Sequence, residues 1–356
     1  MVLRKNHITS QRKSLYKVPD SYLVTQTFFD NENKNKAVKK NRKITTFQAL
    51  HDMPLSTPVA FFIFNRPALT KQVFGAIRLA QPSILLVVAD GPRSEGTDET
   101  ELCAQTRAVI EQVDWDCQVL TNFSETNLGC KRRVSSGLDW VFAAVEEAIV
   151  LEDDCLPHPT FFPFCETLLN YYRHDSRIMT ISGDNFQFGQ KRTQDSYYFS
   201  RYNHCWGWAS WRRAWNYYDV EMQLWSVIKE GNWLQDLLKD DRTVQYWTDV
   251  FEAVVCDRID TWDYQWTFAC WIQHGLTVLP NVNLVSNIGF GEDATHTTAA
   301  SRIGNLPAEA LSFPLKHPAF VIRDAQADHL THQITDQAGL LKKLKRVMKQ
   351  TIKRLA

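Results

Sequence analysis

The stretch Ala148–Phe162, AIVLEDDCLPHPTFF, decides how the rest of the chain is read. An apolar, strand-like run stops on three consecutive acids, Glu152, Asp153 and Asp154, and Pro157 and a helical pattern follow. Like charges crowded at one strand end repel and oppose folding unless an opposite charge is held among them. A hard divalent cation would serve. Mg2+ and Mn2+ prefer carboxylate oxygens and leave positions open for phosphate oxygens. Such a metal clamps a diphosphate and neutralises it as it leaves. The plain alternative is a solvated acidic turn; the acids' place directly after an apolar strand weighs against it.

Towards the N-terminus the same grammar repeats. PVAFFIF, from Pro58, reads as a buried strand, and Pro67 opens a helix through about Leu79. SILLVVAD is a second strand ending in the turn Asp90-Gly91-Pro92, followed by a helix over about 98–112 and the strand CQVLTNF. GCKRRVSSGLDWVFAAVEE is a helix that leads into the acidic strand. Apolar strands alternating with helices predict an α/β fold, a Rossmann-like, mostly parallel sheet with helices on both faces. In such sheets ligands collect outside the carboxyl ends of the strands. Asn65-Arg66, Asp90 and the acidic triplet all fall at such ends.

Towards the C-terminus, HPTFFPFCETLLNYYRH reads as a helix and RIMTISG as a strand. Residues 195–215 are rich in aromatics, helical patterns cover about 232–257 and 262–274, and GLTVLP and VNLVSN read as short strands. The segmentation is therefore a polar arm over 1–55, the main domain over 56–299 with a smaller acceptor-side region, an irregular extension over 300–339, and a basic helix over 340–356.

Composition narrows the class. Apolar residues make up 44% of the 356 residues and charged ones 22%, enough for a large core in a soluble protein. Net charge is zero, but residues 1–43 carry eleven Lys/Arg against three acids, and 340–356 carry seven against none. The middle is thus acidic, which argues against a nucleic-acid partner. Eight cysteines without a C-x-x-C pair read as reduced core thiols of a cytoplasmic protein. No apolar run reaches the roughly 18 residues of a membrane span, and no secretory signal is visible.

The ordered set FIFNRP, VADG, NLGCKRRVSSGLDW, LEDD, HCWGWASWRRAW, TWDYQW and DATHT resembles the GT-A glycosyltransferases over about residues 57–299, in the manner of family-2-like enzymes and N-acetylglucosaminyltransferase I. The resemblance implies transfer of a sugar, with inversion, from a nucleoside-diphosphate sugar, a UDP-sugar favoured, to a hydroxyl of a glycan or lipid-linked acceptor. LEDD then resembles the DXD-type motif, with Asp154 a metal ligand and Glu152 and Asp153 near the ribose or the metal's waters. Phe64, Asn65 and Arg66 would line the nucleoside pocket, and Asp90 would accept a hydrogen bond from a base N–H, although a turn acid beside Gly91 is the alternative.

Asn127 and Gly129 precede a helix whose free N–H groups, with Lys131 or Arg132, would dock phosphate or sugar; an ordinary helix start is the alternative. Gly207 would let backbone approach the ligand, and Trp206 would form an apolar wall for a sugar. Trp208, Trp211 and Trp215 fall at helical spacing and read as core. Asp263, between Trp262 and Trp266, resembles the base that deprotonates the acceptor, against a helix-capping acid. His296 would complete the metal site, and an imidazole ligand favours Mn2+ over Mg2+. A sugar-phosphate nucleotidyltransferase and a non-catalytic glycan-binding relative are the rivals. FNRPALTK lacks the glycines that cradle a triphosphate, which counts against the first.

The tail LLKKLKRVMKQTIKRLA places Leu340, Leu341, Leu344, Val347, Met348, Ile352 and Leu355 on one helical stripe with basic residues opposite. That pattern suits peripheral contact with an anionic membrane, or packing on protein.

Overall fold

The structure is a computed structural model that describes residues 54–93, 97–290 and 303–334. Residues 1–53 of the arm read over 1–55, His296 and the basic stretch 340–356 lie outside the described residues. Among the described residues no helix is long and apolar enough to cross a membrane, and all eight cysteines are free thiols.

The expected alternation forms. β1 (Val59–Ile63), α1 (Pro67–Ala80), β2 (Ile84–Ala89), α2 (Thr97–Ala108), β3 (Gln118–Phe123), α3 (Gly129–Ala144) and β4 (Glu147–Glu152) follow one another. Next come β5 (Cys155–Pro157), α4 (Phe161–Tyr172), β6 (Ile178–Ser182), β7 (Tyr197–Ser200) and β8 (Trp208–Trp211). The helices α5 (Arg212–Trp215), α6 (Trp225–Glu230), α7 (Trp233–Leu238), α8 (Asp241–Val255) and α9 (Asp263–Ile272) lead to β9 (Leu276–Pro280) and β10 (Val285–Asn287). An eight-stranded sheet runs β3-β2-β1-β4-β8-β6-β9-β7. Its first four strands are parallel; Phe61 lies opposite both Val87 and Leu151.

Alternate residues of these strands feed two cores. Phe61, Val87 and Leu151 pack with Phe74 and Ile77 of α1 and the aromatic face of α4. Phe62, Val88 and Val150 pack with Leu138 and Val141 of α3 and with a Trp-rich layer from α5 to α9. Both faces are covered, so β1, β2 and β4 carry almost no polar residue. The α/β fold with a mostly parallel sheet and helices on both faces is the one the sequence predicts.

β8 departs from it. It runs antiparallel between β4 and β6, with Trp208 opposite Val150 and Trp211 opposite Glu147. The helical spacing of Trp208, Trp211 and Trp215 is overridden by this pairing: Trp208 and Trp215 enter one core and Trp211 the other. The single helix read over 232–257 also splits. Lys239 takes a left-handed conformation (φ 66°), and the Asp240 side chain caps α8 by accepting the Thr243 N–H at 2.8 Å. β5 and β10 pair antiparallel beside the main sheet and tie the segment after β10 to the acidic triplet.

Phe61 is fully buried and Leu79 is 72% exposed. Urea denaturation should show Phe61→Ala losing about 3–5 kcal/mol and Leu79→Ala staying within about 0.5 kcal/mol. Equal losses would contradict this account of the core.

Candidate functional site

A cleft of about 320 Å³ opens at the carboxyl edge of the parallel strands. It is lined by Phe64 and Arg66 after β1, Asp90 after β2, and Glu152, Asp153 and Asp154 at the end of β4. Because β2, β1 and β4 are neighbours in the sheet, these groups are set side by side by topology alone. Trp206, just before β8, and Asn287, Gly289 and Phe290, at and after the end of β10, close the far side.

Arg66 is the counter-charge of the acidic triplet. Its guanidinium reaches Asp153 with one nitrogen and Asp154 Oδ2 with the other, the latter at 3.0 Å. Asp153 is buried, and its second oxygen accepts the Phe64 N–H at 3.2 Å. Burial alone would lower the Arg66 pKa; the charges of Asp153 and Asp154 outweigh it, and the net shift is upward. One cation does not neutralise three acids. Burial, then Asp154 and Asp153, push the Glu152 carboxyl up to about 8. Burial pushes Asp153 up to about 6 against the opposing pull of Arg66. Of the two acids that Arg66 grips, Asp154 is the less committed: among the described residues its Oδ1 meets only the Cys155 thiol, at 3.4 Å. Gly289 packs directly over it, and a Cβ there would lie 2.3 Å from Asp154 Oδ2.

These donors fit a hard cation in kind: oxygen ligands and residual negative charge on the cleft wall. Among the described residues no three His, Cys, Asp or Glu side chains converge into a metal cage, so Asp154 would hold the ion chiefly together with ligand oxygens.

Asp90 stitches the other end of the cleft. Its Oδ1 accepts the N–H groups of Gly91 and Leu128, both at 2.9 Å, and Oδ2 accepts that of Gly129 at 3.2 Å. Burial raises its pKa while these bonds hold it down. Asp260 accepts the N–H groups of Cys130 and Lys131 at 3.1 and 3.0 Å. The N-terminus of α3 is therefore occupied by two carboxylates of this chain, and the phosphate dock expected there is corrected. Lys131 is corrected with it: the side chain is buried and bonds Asp257 at 2.8 Å outside the cleft. Asn127 lines the cleft and donates to the Gly91 carbonyl at 2.9 Å.

Four further expectations change. Asn65 turns from the cleft to Glu99 Oε1, at 2.8 Å, because that acid also gathers Arg93, which lies over the Phe64 ring. Gly207 (φ +69°) is needed for packing: a Cβ would stand 2.7 Å from Val285 Cγ2, so no ligand approaches its backbone there. Asp153, set near the ribose by the resemblance, has both oxygens engaged as a buttress. Asp263 does not line the cleft. It accepts from the Thr261 hydroxyl, and its charge acts on Glu152 and Cys130, which do line it.

Arg133 was missed by the sequence reading. It is 6% exposed, donates from Nε to the Ala89 carbonyl at 3.1 Å and from Nη2 to Asn122, and leaves Nη1 uncommitted among the described residues, on the cleft wall beside Asp90. Burial lowers its pKa against the pull of Asp90. The signal was helical: Arg133, Gly137 and Val141 form one stripe, and at Gly137 a Cβ would meet Val88 Cγ1 at 2.6 Å, so α3 lies close on the sheet.

No family model matches the chain, and no curated protein matches it. Among solved structures, one that is similar is described as a UDP-glucose pyrophosphorylase complexed with UDP-glucose, with a TM-score of 0.23 and 11% identity. The match covers 40% of this chain and 63% of that one, and so shallow a likeness carries no argument.

Glu152 and Asp153 hold protons in the folded state at pH values where the unfolded chain has lost them. Their contribution is therefore present below the ordinary carboxylate range and lost as pH rises through about 6 and about 8. The melting temperature should fall from the ordinary carboxylate range up to about pH 8, and Glu152→Gln should flatten the part of the fall between about 6 and about 8. An unchanged slope in the variant would contradict the assignment.

Proposed function

We propose that the chain is a metal-dependent, inverting glycosyltransferase of the GT-A type that moves a sugar from a UDP-sugar to a hydroxyl of a glycan or lipid-linked acceptor. The observation that carries this reading is the single cleft in which three neighbouring strand ends gather Arg66, Asp90 and the acids Glu152–Asp154. A divalent cation, Mn2+ or Mg2+, would be held at Asp154 and would mask the charge of the departing diphosphate. Arg66 orients Asp154 and fixes Asp153. His296 remains part of the proposal as a metal ligand on the strength of the sequence alone.

Uracil suits the Asp90 end. It offers an N–H flanked by two carbonyls. Asp90 Oδ2, with one donor already, has acceptor capacity left, and Arg133 Nη1 is a donor beside it. Cytosine presents the reverse pattern at N3. Asp263 remains part of the proposal as the base that takes the acceptor's proton on the strength of the resemblance; it stands at the start of α9, outside the lining of the cleft.

One feature favours a second reading, nucleotidyl transfer: Arg66 places a cation at the end of the first strand, where a triphosphate would need one. Pyrophosphate release from UTP and a hexose 1-phosphate distinguishes the two.

Calorimetry should show UDP binding only with Mn2+ or Mg2+, at least about tenfold tighter than CDP. Asp154→Ala should abolish metal-dependent binding. Asp263→Asn should keep UDP binding and lower turnover of UDP-sugars by about a hundredfold or more. Metal-independent UDP binding, or full turnover in Asp263→Asn, would overturn the corresponding assignment.

A further inference from the structure

The far wall of the cleft is propped by a buried Asp–His pair that has no part in the proposed transfer. Asp184 follows β6 and is 1% exposed; it accepts the Ser182 hydroxyl at 3.3 Å and bonds His204 Nδ1. The bond leaves the proton on Nδ1 and fixes the imidazole's orientation. His204 is itself buried, and among the described residues neither its Nε2 nor Asp184 Oδ2 has a partner. Leaving such atoms unsatisfied is costly, so the pair is a poor choice for stability alone.

The imidazole is the first member of an aromatic series that ends in the cleft. His204 stacks on Phe186, with centroids 4.5 Å apart and planes at 20°. Phe186 meets Trp206 edge-on at 5.3 Å, and Trp206 meets Phe290 edge-on at 5.4 Å. Trp206 and Phe290 line the cleft beside Asp154 and Gly289. The strand order sets the direction: Asp90 lies at β2, the acids at β4, and Trp206 beyond them at β8. With the base at Asp90 and the diphosphate at Asp154, the next group of the donor falls against Trp206 and Phe290.

We propose that the buried Asp184–His204 pair, acting through Phe186, sets the angle of the Trp206–Phe290 wall against which the donor's hexose would lie. This rests on the nucleotide-sugar reading of the cleft. The apolar face of a hexose ring packs on an aromatic wall, and the wall holds its angle because the ring behind it is pinned by a buried, oriented hydrogen bond. His204 and Asp184 are positioning residues; neither lines the cleft.

The test compares UDP with UDP-glucose, UDP-galactose and UDP-N-acetylglucosamine, each with Mn2+, by calorimetry on the full chain. Phe186→Ala breaks the series and leaves the Asp184–His204 hydrogen bond in place. His204→Asn keeps a donor for Asp184 and removes the ring. Both variants should bind UDP within about twofold of the wild type and bind the best UDP-sugar about tenfold more weakly. Unchanged affinity for both ligands in the variants, or equal losses for UDP and the UDP-sugar, would overturn the subsite. So would a wild-type protein to which no sugar adds affinity over UDP. A wild-type protein that binds no UDP at all contradicts the underlying reading of the cleft instead.

Discussion

The architecture turns on one electrostatic constraint: three acids in a row must end a buried parallel strand next to a single arginine. Arg66 meets Asp153 and Asp154 from the neighbouring strand end, and Phe64 lends a backbone N–H to the same cluster. Removing one partner of such a buried pair typically costs about 3–5 kcal/mol, since the charge left behind is uncompensated. Even intact, the cluster carries three acids against one arginine: burial first, and then the charges of Asp154 and Asp153, raise the Glu152 carboxyl. A deficit of this kind at a sheet edge, facing a cleft, is what the proposed cation would relieve.

Much of the scaffold was legible because its signals are local. PVAFFIF, SILLVVAD and AIVLEDD are apolar enough to be strands in any context, and α1 and α3 between them carry apolar stripes. That periodicity placed Arg66, Asp90 and Glu152 on one sheet edge. What escaped reading depends on non-local pairing. WASW becomes a strand only because it pairs antiparallel with β4 and β6, and CLP only because it meets β10. Lys239, in a left-handed turn, breaks a helix that the pattern alone continues.

The site was legible in outline and misread in detail for the same reason. Sequence shows that Asn65, Lys131 and Gly207 stand near strand or helix ends; only the fold shows that Glu99, Asp257 and Val285 already claim them. The start of α3 is a parallel case. Its N–H groups suit an anion, and the anions that satisfy them are Asp90 and Asp260 from distant parts of the chain. Arg133 was hidden as one base among three in KRR, although its helical stripe points at the sheet.

The most direct test is anomalous diffraction from crystals grown with Mn2+ and UDP, collected at the manganese edge. The account predicts one strong peak within coordination distance of Asp154, with the diphosphate on it and the uracil between Asp90 and Arg133. Manganese and nucleotide bound elsewhere, with the Arg66–Asp153–Asp154 cluster unchanged and facing empty solvent, would contradict it.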